Sequence, residues 1–208
     1  MKKVVILISG RGSNMKAVVE ADIPNAKVCA VLSNDGEAAG LAWAAGRGIP
    51  TEALSHKSFP DRLSFDRAMM GKIDLYHPDL VVLAGFMRIL TPEFCTHYQG
   101  RLINIHPSVL PAFTGLDTHR RALEAGCRIA GCTIHFVTPE LDCGPMISQG
   151  IVPILDGDSA DDVAARVLKV EHRLLPQAVA DFVAERLEIR GNRVVGGKRC
   201  DAGMWFSA

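Results

Sequence analysis

At 208 residues, 48% of them hydrophobic, the chain is long enough to bury one full core and short for two domains. Lysine plus arginine balances aspartate plus glutamate at 23 each. A formal net charge of zero leaves no electrostatic footprint for nucleic acid or an anionic membrane surface, so an anionic ligand has to be held by local geometry.

The opening MKKVVILISG has an apolar run too short for a secretory signal, and no stretch approaches the length of a membrane span. Residues 3–9 form a continuous, β-branched run, the mark of a buried parallel strand. It breaks at SGRGSN and resumes as a helix over residues 14–21. A second strand over 27–33 ends in the turn Asn34-Asp35-Gly36, a helix over 38–47 is closed by Gly48, and 50–54 reads as a short third strand. Ser58 is a candidate cap for a helix carrying Phe65, Met69, Ile73 and Tyr76 at three- and four-residue spacing. Residues 80–84 are again a buried strand.

The second half begins with the strand INIHP and a short helix over 118–125. Strands over 129–137 and 147–153 follow, joined through PELDCGP. Ser159 is placed to cap a long helix, with Pro176 inside it, running to about residue 187, and 188–198 alternates like an edge hairpin. The alternation of strands and helices predicts an α/β, Rossmann-like, doubly wound and mostly parallel sheet in a three-layer α/β/α arrangement. No linker, repeat or composition step marks a second domain.

Cys29, Cys95, Cys127, Cys132, Cys143 and Cys200 form no CxxC pair and read as reduced thiols of a cytoplasmic protein. The chemistry gathers elsewhere. SGRGSN joins a strand to a helix, so its backbone N–H groups lie at the positive end of the helix dipole, which suits a phosphate. Gly12 permits close approach, and Ser13 and Asn14 add donors. The turn matches neither the dinucleotide fingerprint nor a Walker A loop, and a plain tight turn is the alternative.

In Ile103-Asn104-Ile105-His106 the alternation puts Asn104 and His106 on one strand face. In CTIHFVTPELDCGP, Thr133 and His135 share a face in the same way, and Asp142 follows in a loop bounded by Pro139 and Gly144. A loop carboxylate beside an imidazole favours its protonated form and holds one tautomer. Asn104, His106 and Asp142 thus read as donor, acid–base group and orienter. His106, His119, His135, Asp142 and Cys143 could also serve a metal, but no ligand spacing supports one, and no Gly-x-Ser-x-Gly elbow points to a serine hydrolase. In the last helix Glu171 falls in the stripe of Val163, Val167 and Leu175; it either reaches solvent from the stripe's edge or points over the sheet toward ligand hydroxyls.

With SGRGSN, VVLAGFMRILTPEF, INIHPSVLPAFTGLDTHRRALEAG, GCTIHFVTPELDCGP and the pair Glu171-His172, the chain resembles the phosphoribosylglycinamide formyltransferase family of the formyltransferase superfamily along nearly its whole length. The resemblance implies one formyltransferase domain over 1–208, with a ribonucleotide-binding half at 1–100, a catalytic and folate-binding half at 101–190, and a tail at 191–208. It implies 10-formyltetrahydrofolate as co-substrate, no metal, and glycinamide ribonucleotide as acceptor. The expected chain is a monomer or homodimer and lacks the further domains of the tRNA formyltransferases and formyltetrahydrofolate hydrolases.

Carried over by position, the resemblance implies that Gly12, Ser13 and Asn14 hold the 5′-phosphate and Glu171 the ribose hydroxyls, with Leu168, Lys169 and Val170 nearby. Met87, Arg88, Ile89 and Leu90 line the folate pocket, Arg62 meets the glutamate tail, and Thr138, Pro139, Glu140, Leu141 and Asp142 cover the pterin. Asn104, His106 and Asp142 catalyse, supported by His135 and Thr133. Formyltetrahydrofolate hydrolysis, or transfer to another amine, is the alternative.

Overall fold

The computed structural model describes residues 1–197. Nine strands form one sheet. In chain order they are β1 (Lys2–Ile8), β2 (Ala26–Ser33), β3 (Thr51–Ala53), β4 (Leu80–Leu83), β5 (Leu102–His106), β6 (Ile129–Phe136), β7 (Met146–Pro153), β8 (Leu187–Arg190) and β9 (Arg193–Gly196). Between them lie the helices α1 (Ser13–Glu20), α2 (Ala39–Ala45), α3 (Arg62–Asp74), α4 (Pro92–His97), α5 (Thr118–Glu124) and α6 (Ala160–Val183). The strand order is β3-β2-β1-β4-β5-β6-β7-β9-β8.

The period of two along the buried strands builds two cores. Val4, Ile6 and Ile8 of β1 pack with Leu80, Val82, Ile103 and Ile105 under α1, α2, α5 and α6. Val5 and Leu7 point the other way, with Val81, Leu83 and Leu102, and meet Phe65 and Met69 of α3, Phe94 of α4 and Tyr98 just past it. Three layers follow directly from this alternation.

From β1 the chain winds outward through β2 and β3, then returns to place β4 and β5 on the other side. The strand order therefore reverses between β1 and β4, and such a reversal opens a crevice beyond the carboxyl ends of the strands. β5 is parallel to β4, but β6 runs antiparallel to both β5 and β7. On the α3 and α4 face no residue of β6 or β7 joins the helix-covered core. That uncovered stretch carries the polar face of β5 and β6.

Several boundaries differ from the sequence-based assignment. Asp61, not Ser58, caps α3: its carboxylate accepts the Ser64 N–H at 2.7 Å, while Ser58 ends a single 3₁₀ turn. Asp61 satisfies an orphan N–H of the first turn, which Ser58 is too far upstream to do. The helix α4, capped by Thr91 with Pro92 in its first turn, has no counterpart in that assignment. α6 stops at Val183 rather than near 187, because Glu185 turns left-handed and Leu187 starts β8. Its start is as expected, with Ser159 and Asp162 forming a reciprocal capping box. The expected edge hairpin is β8 and β9; its last residue, Lys198, lies outside the described residues, as does Cys200.

Candidate active site

The turn after β1 meets α1 at Gly12, whose φ of 68° lies in the left-handed region. A Cβ there would stand 2.9 Å from Met15 Cε and 3.3 Å from the Gly40 backbone, so only glycine fits both the angle and the space. This leaves the first N–H groups of α1, from Ser13 onward, without intrahelical partners at the carboxyl edge of the sheet. Ser13 is half-buried. Asn14 is buried, and its amide donates to Glu171 Oε2 at 2.7 Å, while its own Oδ1 has no protein partner.

Glu171 thus neither reaches solvent from the stripe's edge nor stands alone. It is buried, and burial pushes its carboxyl pKa up, with the Asn14 hydrogen bond acting in the opposite sense. Of its neighbours, Leu168 is half-buried, Lys169 exposed, and Val170 packed into the core against Gly150.

On the uncovered face, the antiparallel register places Asn104 opposite His135 and His106 opposite Thr133. The Asn104 amide donates to His135 Nε2 at 3.2 Å. His135 Nδ1 lies 2.9 Å from the Phe136 carbonyl, which can only accept, so the ring carries its proton on Nδ1 and accepts from Asn104 on Nε2. Burial lowers the His135 pKa, in keeping with this neutral form. Thr133 is fully buried; its hydroxyl donates to the Ser108 carbonyl and accepts from Leu110 N–H and from Gln149 Nε2.

His106 Nε2 donates to the Phe113 carbonyl at 3.0 Å, and Nδ1 faces Asp142 Oδ2 at 3.6 Å. That second distance is within ion-pair range but longer than a hydrogen bond. The hydrogen bond that orients the ring is therefore the one to Phe113, whereas the sequence suggests Asp142 for that task. Asp142 Oδ2 accepts the Gly115 N–H at 2.9 Å, and its Oδ1 lies 4.0 Å from His135 Nε2. Both ring nitrogens of His106 face oxygen atoms, the Phe113 carbonyl on one side and the Asp142 carboxylate on the other.

Asp142 arrives by an unexpected route. Because β6 is antiparallel, the chain leaves it at Phe136, opposite Ile103, three residues before His106. At ~3.3 Å per residue, the loop doubles back about 10 Å over the sheet face. Gly144 makes this fold possible, since a Cβ there would overlap the Phe136 carbonyl oxygen. Within the loop, Thr138 is half-buried, Pro139, Glu140 and Leu141 are exposed, and Asp142 is buried. The segment after β4 faces the crevice with exposed Met87 and Ile89, half-buried Arg88 and buried Leu90. Arg88 Nε is buried without a partner. Arg62 is exposed in the first turn of α3, one turn before Asp66, whose carboxylate accepts Thr91 N–H at 2.6 Å. Among the described residues no group of three histidine, cysteine or acidic side chains is placed to hold a metal ion.

A family model for formyl transferases matches residues 2–179. The chain belongs to the formyl transferase family. The chain is 50% identical over 192 residues to the phosphoribosylglycinamide formyltransferase of Escherichia coli K12, covering 91% of each protein. To the enzyme of the same name from Haemophilus influenzae it is 41% identical over 196 residues, covering 92% of each. The crystal structure of glycinamide ribonucleotide transformylase 1 from Symbiobacterium toebii superposes with a TM-score of 0.91 at 42% identity, covering 95% of both chains. The fold of this formyl transferase, an α/β sheet of mostly parallel strands between helices, is thus shared with a solved structure.

In this formyl transferase, side-chain spacing points to Asn104, His106, Thr133 and His135, since alternation alone puts them on one face. The groups that hold His106 and Asp142 escape such reading: the Phe113 carbonyl and the Gly115 N–H, both backbone atoms of the 107–117 loop. Left-handed φ angles of 53° at Phe113 and 77° at Gly115 turn them inward. Glycine at 115 was a usable signal; phenylalanine at 113 carries none.

Proposed function

We propose that the chain transfers the formyl group of 10-formyltetrahydrofolate to the amine of 5-phosphoribosylglycinamide, giving formylglycinamide ribonucleotide and tetrahydrofolate in purine biosynthesis. The observation that carries this reading is the convergence of Asn104, His106 and Asp142 from a strand and a loop, with 3.6 Å between ring and carboxylate. The family membership and the activity for which the relatives above are named support it.

In this reading residues 1–100 supply the phosphate turn, residues 101–190 the chemistry, and both halves contribute to the folate and ribonucleotide sites. The N–H groups beyond Gly12, with Ser13 and Asn14, take the phosphate at the helix N-terminus. Glu171, next to Asn14, takes ribose hydroxyls beside Leu168, Lys169 and Val170. The folate lies against Met87, Arg88, Ile89 and Leu90, under the loop of residues 138–142, with Arg62 at its glutamate end.

The substrate amine attacks the formyl carbon, and the tetrahedral intermediate that forms carries an oxyanion. Asn104, its amide oriented by His135, donates to that oxygen. Loss of one such donor costs roughly 10²–10³ in rate. His106 Nε2 is occupied by Phe113, so Nδ1 is the nitrogen that serves the reacting atoms, on the side of the ring that carries Asp142. From there the protonated ring donates to the oxyanion, gives its Nδ1 proton to the departing folate nitrogen as the C–N bond breaks, and takes one back from the ammonium formed by the attacking amine, worth about 10²–10⁴. Asp142 supports the charged ring. No covalent enzyme intermediate is needed. The free thiols among the described residues fit a reducing, cytoplasmic setting, and no described helix is long and apolar enough to cross a membrane.

The deciding experiment incubates purified protein and 10-formyltetrahydrofolate with and without glycinamide ribonucleotide. Consumption that requires the ribonucleotide, with one formylated product per folate released, is the expected result. Folate consumption indifferent to the ribonucleotide would replace transfer by hydrolysis.

A further inference from the structure

Ser9 stands at the carboxyl end of β1, where the strand order reverses, and none of the roles above uses it. Its backbone N–H donates to the Gly85 carbonyl at 3.1 Å. Its hydroxyl accepts the Met87 N–H at 2.7 Å and donates to Asn34 Oδ1 at 2.5 Å. Asn34, buried just past β2, turns its Nδ2 toward His56 Nδ1 at 3.4 Å. The direction of this chain is fixed from one end. Met87 N–H can only donate, so the Ser9 proton goes to the Asn34 oxygen, and the Asn34 NH₂ is left for His56.

One side chain therefore joins the ends of β1 and β2 to the segment after β4. Met87 is largely exposed, and its N–H is bonded to the Ser9 hydroxyl rather than to the backbone of a neighbouring strand. The same residue opens the turn that leads through Gly10 and Gly12 into α1, and the Gly10 carbonyl is itself held by Gly40 N–H at 3.0 Å.

We infer that Ser9 is a positioning residue that couples the two ligand sites, setting the 86–90 segment from the turn that takes the phosphate. The inference rests on the phosphate and folate placements proposed above. A ligand that orders residues 9–14 fixes the Ser9 hydroxyl and with it Met87; a ligand seated on Met87 acts back through the same bond. Ribonucleotide and folate then tighten each other's binding, and linkage requires the two factors to be equal.

The test is a pair of titrations with tetrahydrofolate and glycinamide ribonucleotide, which cannot turn over together, each alone and each in the presence of the other. Wild-type protein is expected to show mutual tightening of about two- to tenfold, the range of one net hydrogen bond. In Ser9→Ala the factor falls to one and tetrahydrofolate binds more weakly, while ribonucleotide alone keeps its affinity within about twofold, since its direct contacts remain. Ser9→Thr retains the hydroxyl and restores the coupling. Asn34→Leu removes the acceptor beneath Ser9 and lowers the coupling, Asn34→Asp preserves it, and this pair gives the reading if Ser9→Ala does not fold. A Ser9→Ala protein with lower Tm but unchanged coupling overturns the proposal, as does a wild type without mutual tightening. Ribonucleotide affinity indifferent to Gly12→Ala overturns the phosphate placement itself, and the single-ligand titration shows this independently of any coupling.

Discussion

Asn14 and Glu171, 157 residues apart in the chain, meet in a buried hydrogen bond of 2.7 Å that joins the first helix to the last. The carboxylate stands where desolvation disfavours its charge, so its folded pKa is raised. A carboxyl raised in this way contributes stability below its unfolded value of about 4.3, and that contribution is lost as pH rises through the folded value. Glu171→Gln keeps the size and an oxygen acceptor for Asn14 but has no charge to bury. Denaturant melts of the two proteins should therefore diverge with rising pH, the variant gaining at neutrality. A stability difference constant from acid to neutral pH would contradict the buried-charge account. If Glu171 also accepts ribose hydroxyls, KM for the ribonucleotide rises about tenfold, as for loss of a charge-assisted hydrogen bond.

His106→Ala removes the group placed between Phe113 and Asp142. We expect kcat to fall by about two decades or more, the usual worth of acid–base catalysis, with folate affinity little changed. Asp142→Asn keeps an oxygen for Gly115 N–H and removes the charge near His106, so kcat should again fall while the Tm stays close to wild type. A variant of either kind with wild-type kcat would take that residue out of the mechanism.

His135→Leu tests orientation rather than chemistry. The variant leaves the Asn104 amide without its 3.2 Å acceptor. The expected signature is a kcat reduced about tenfold, as for a catalytic donor only partly misplaced, with KM values near wild type. An unchanged kcat would mean that Asn104 holds its place without the ring.

Gly12→Ala forces a side chain into a left-handed position 2.9 Å from Met15 Cε. The conformational cost alone is about 1–2 kcal/mol, and thermal melting should show it. KM for the ribonucleotide should rise as the turn shifts. A rise in KM without loss of stability would place the effect on the phosphate rather than on the backbone.

Burial lowers the pKa values of His119, His135 and His172. Groups of this kind contribute stability above the unfolded histidine value of about 6.5, and it is lost as pH falls through the lower folded values. Urea melts at successive pH values should show ΔG declining from about pH 6.5 downward. His172→Gln, half-buried with Nε2 unpartnered, should make that decline shallower. A decline of the same steepness in the variant would assign it to other groups.

Much of this fold is written at the scale of a few residues. The run from Val4 to Ile8 alternates between two cores, and a strand buried on both sides is what an uninterrupted apolar stretch makes. The SGRGSN turn and the Asn104 and His106 pair were legible for the same reason, because local geometry fixes where they point. What the sequence could not reveal depends on distant partners. Nothing in Ile129–Phe136 says that the strand runs antiparallel, so the route by which Asp142 returns to His106 was hidden. Glu171 lay in an apolar stripe with two readings, and only the approach of Asn14 decides that it is buried. The carbonyl of Phe113 is common to every residue type and has no signature at all. The Ser58 misassignment was a competition between two plausible caps, settled by Asp61 standing immediately before the first turn.

The Gly115 N–H that holds the Asp142 carboxylate belongs to one loop and the carboxylate to another, so two crossings that enter the sheet from different strands are clasped into one roof. An insertion in either loop disturbs the acid and the histidine together, which leaves little freedom there for a change of acceptor. Evolution or engineering of a new amine specificity is better sought away from this roof, on α6, where half-buried Leu168 and exposed Lys169 carry none of its weight.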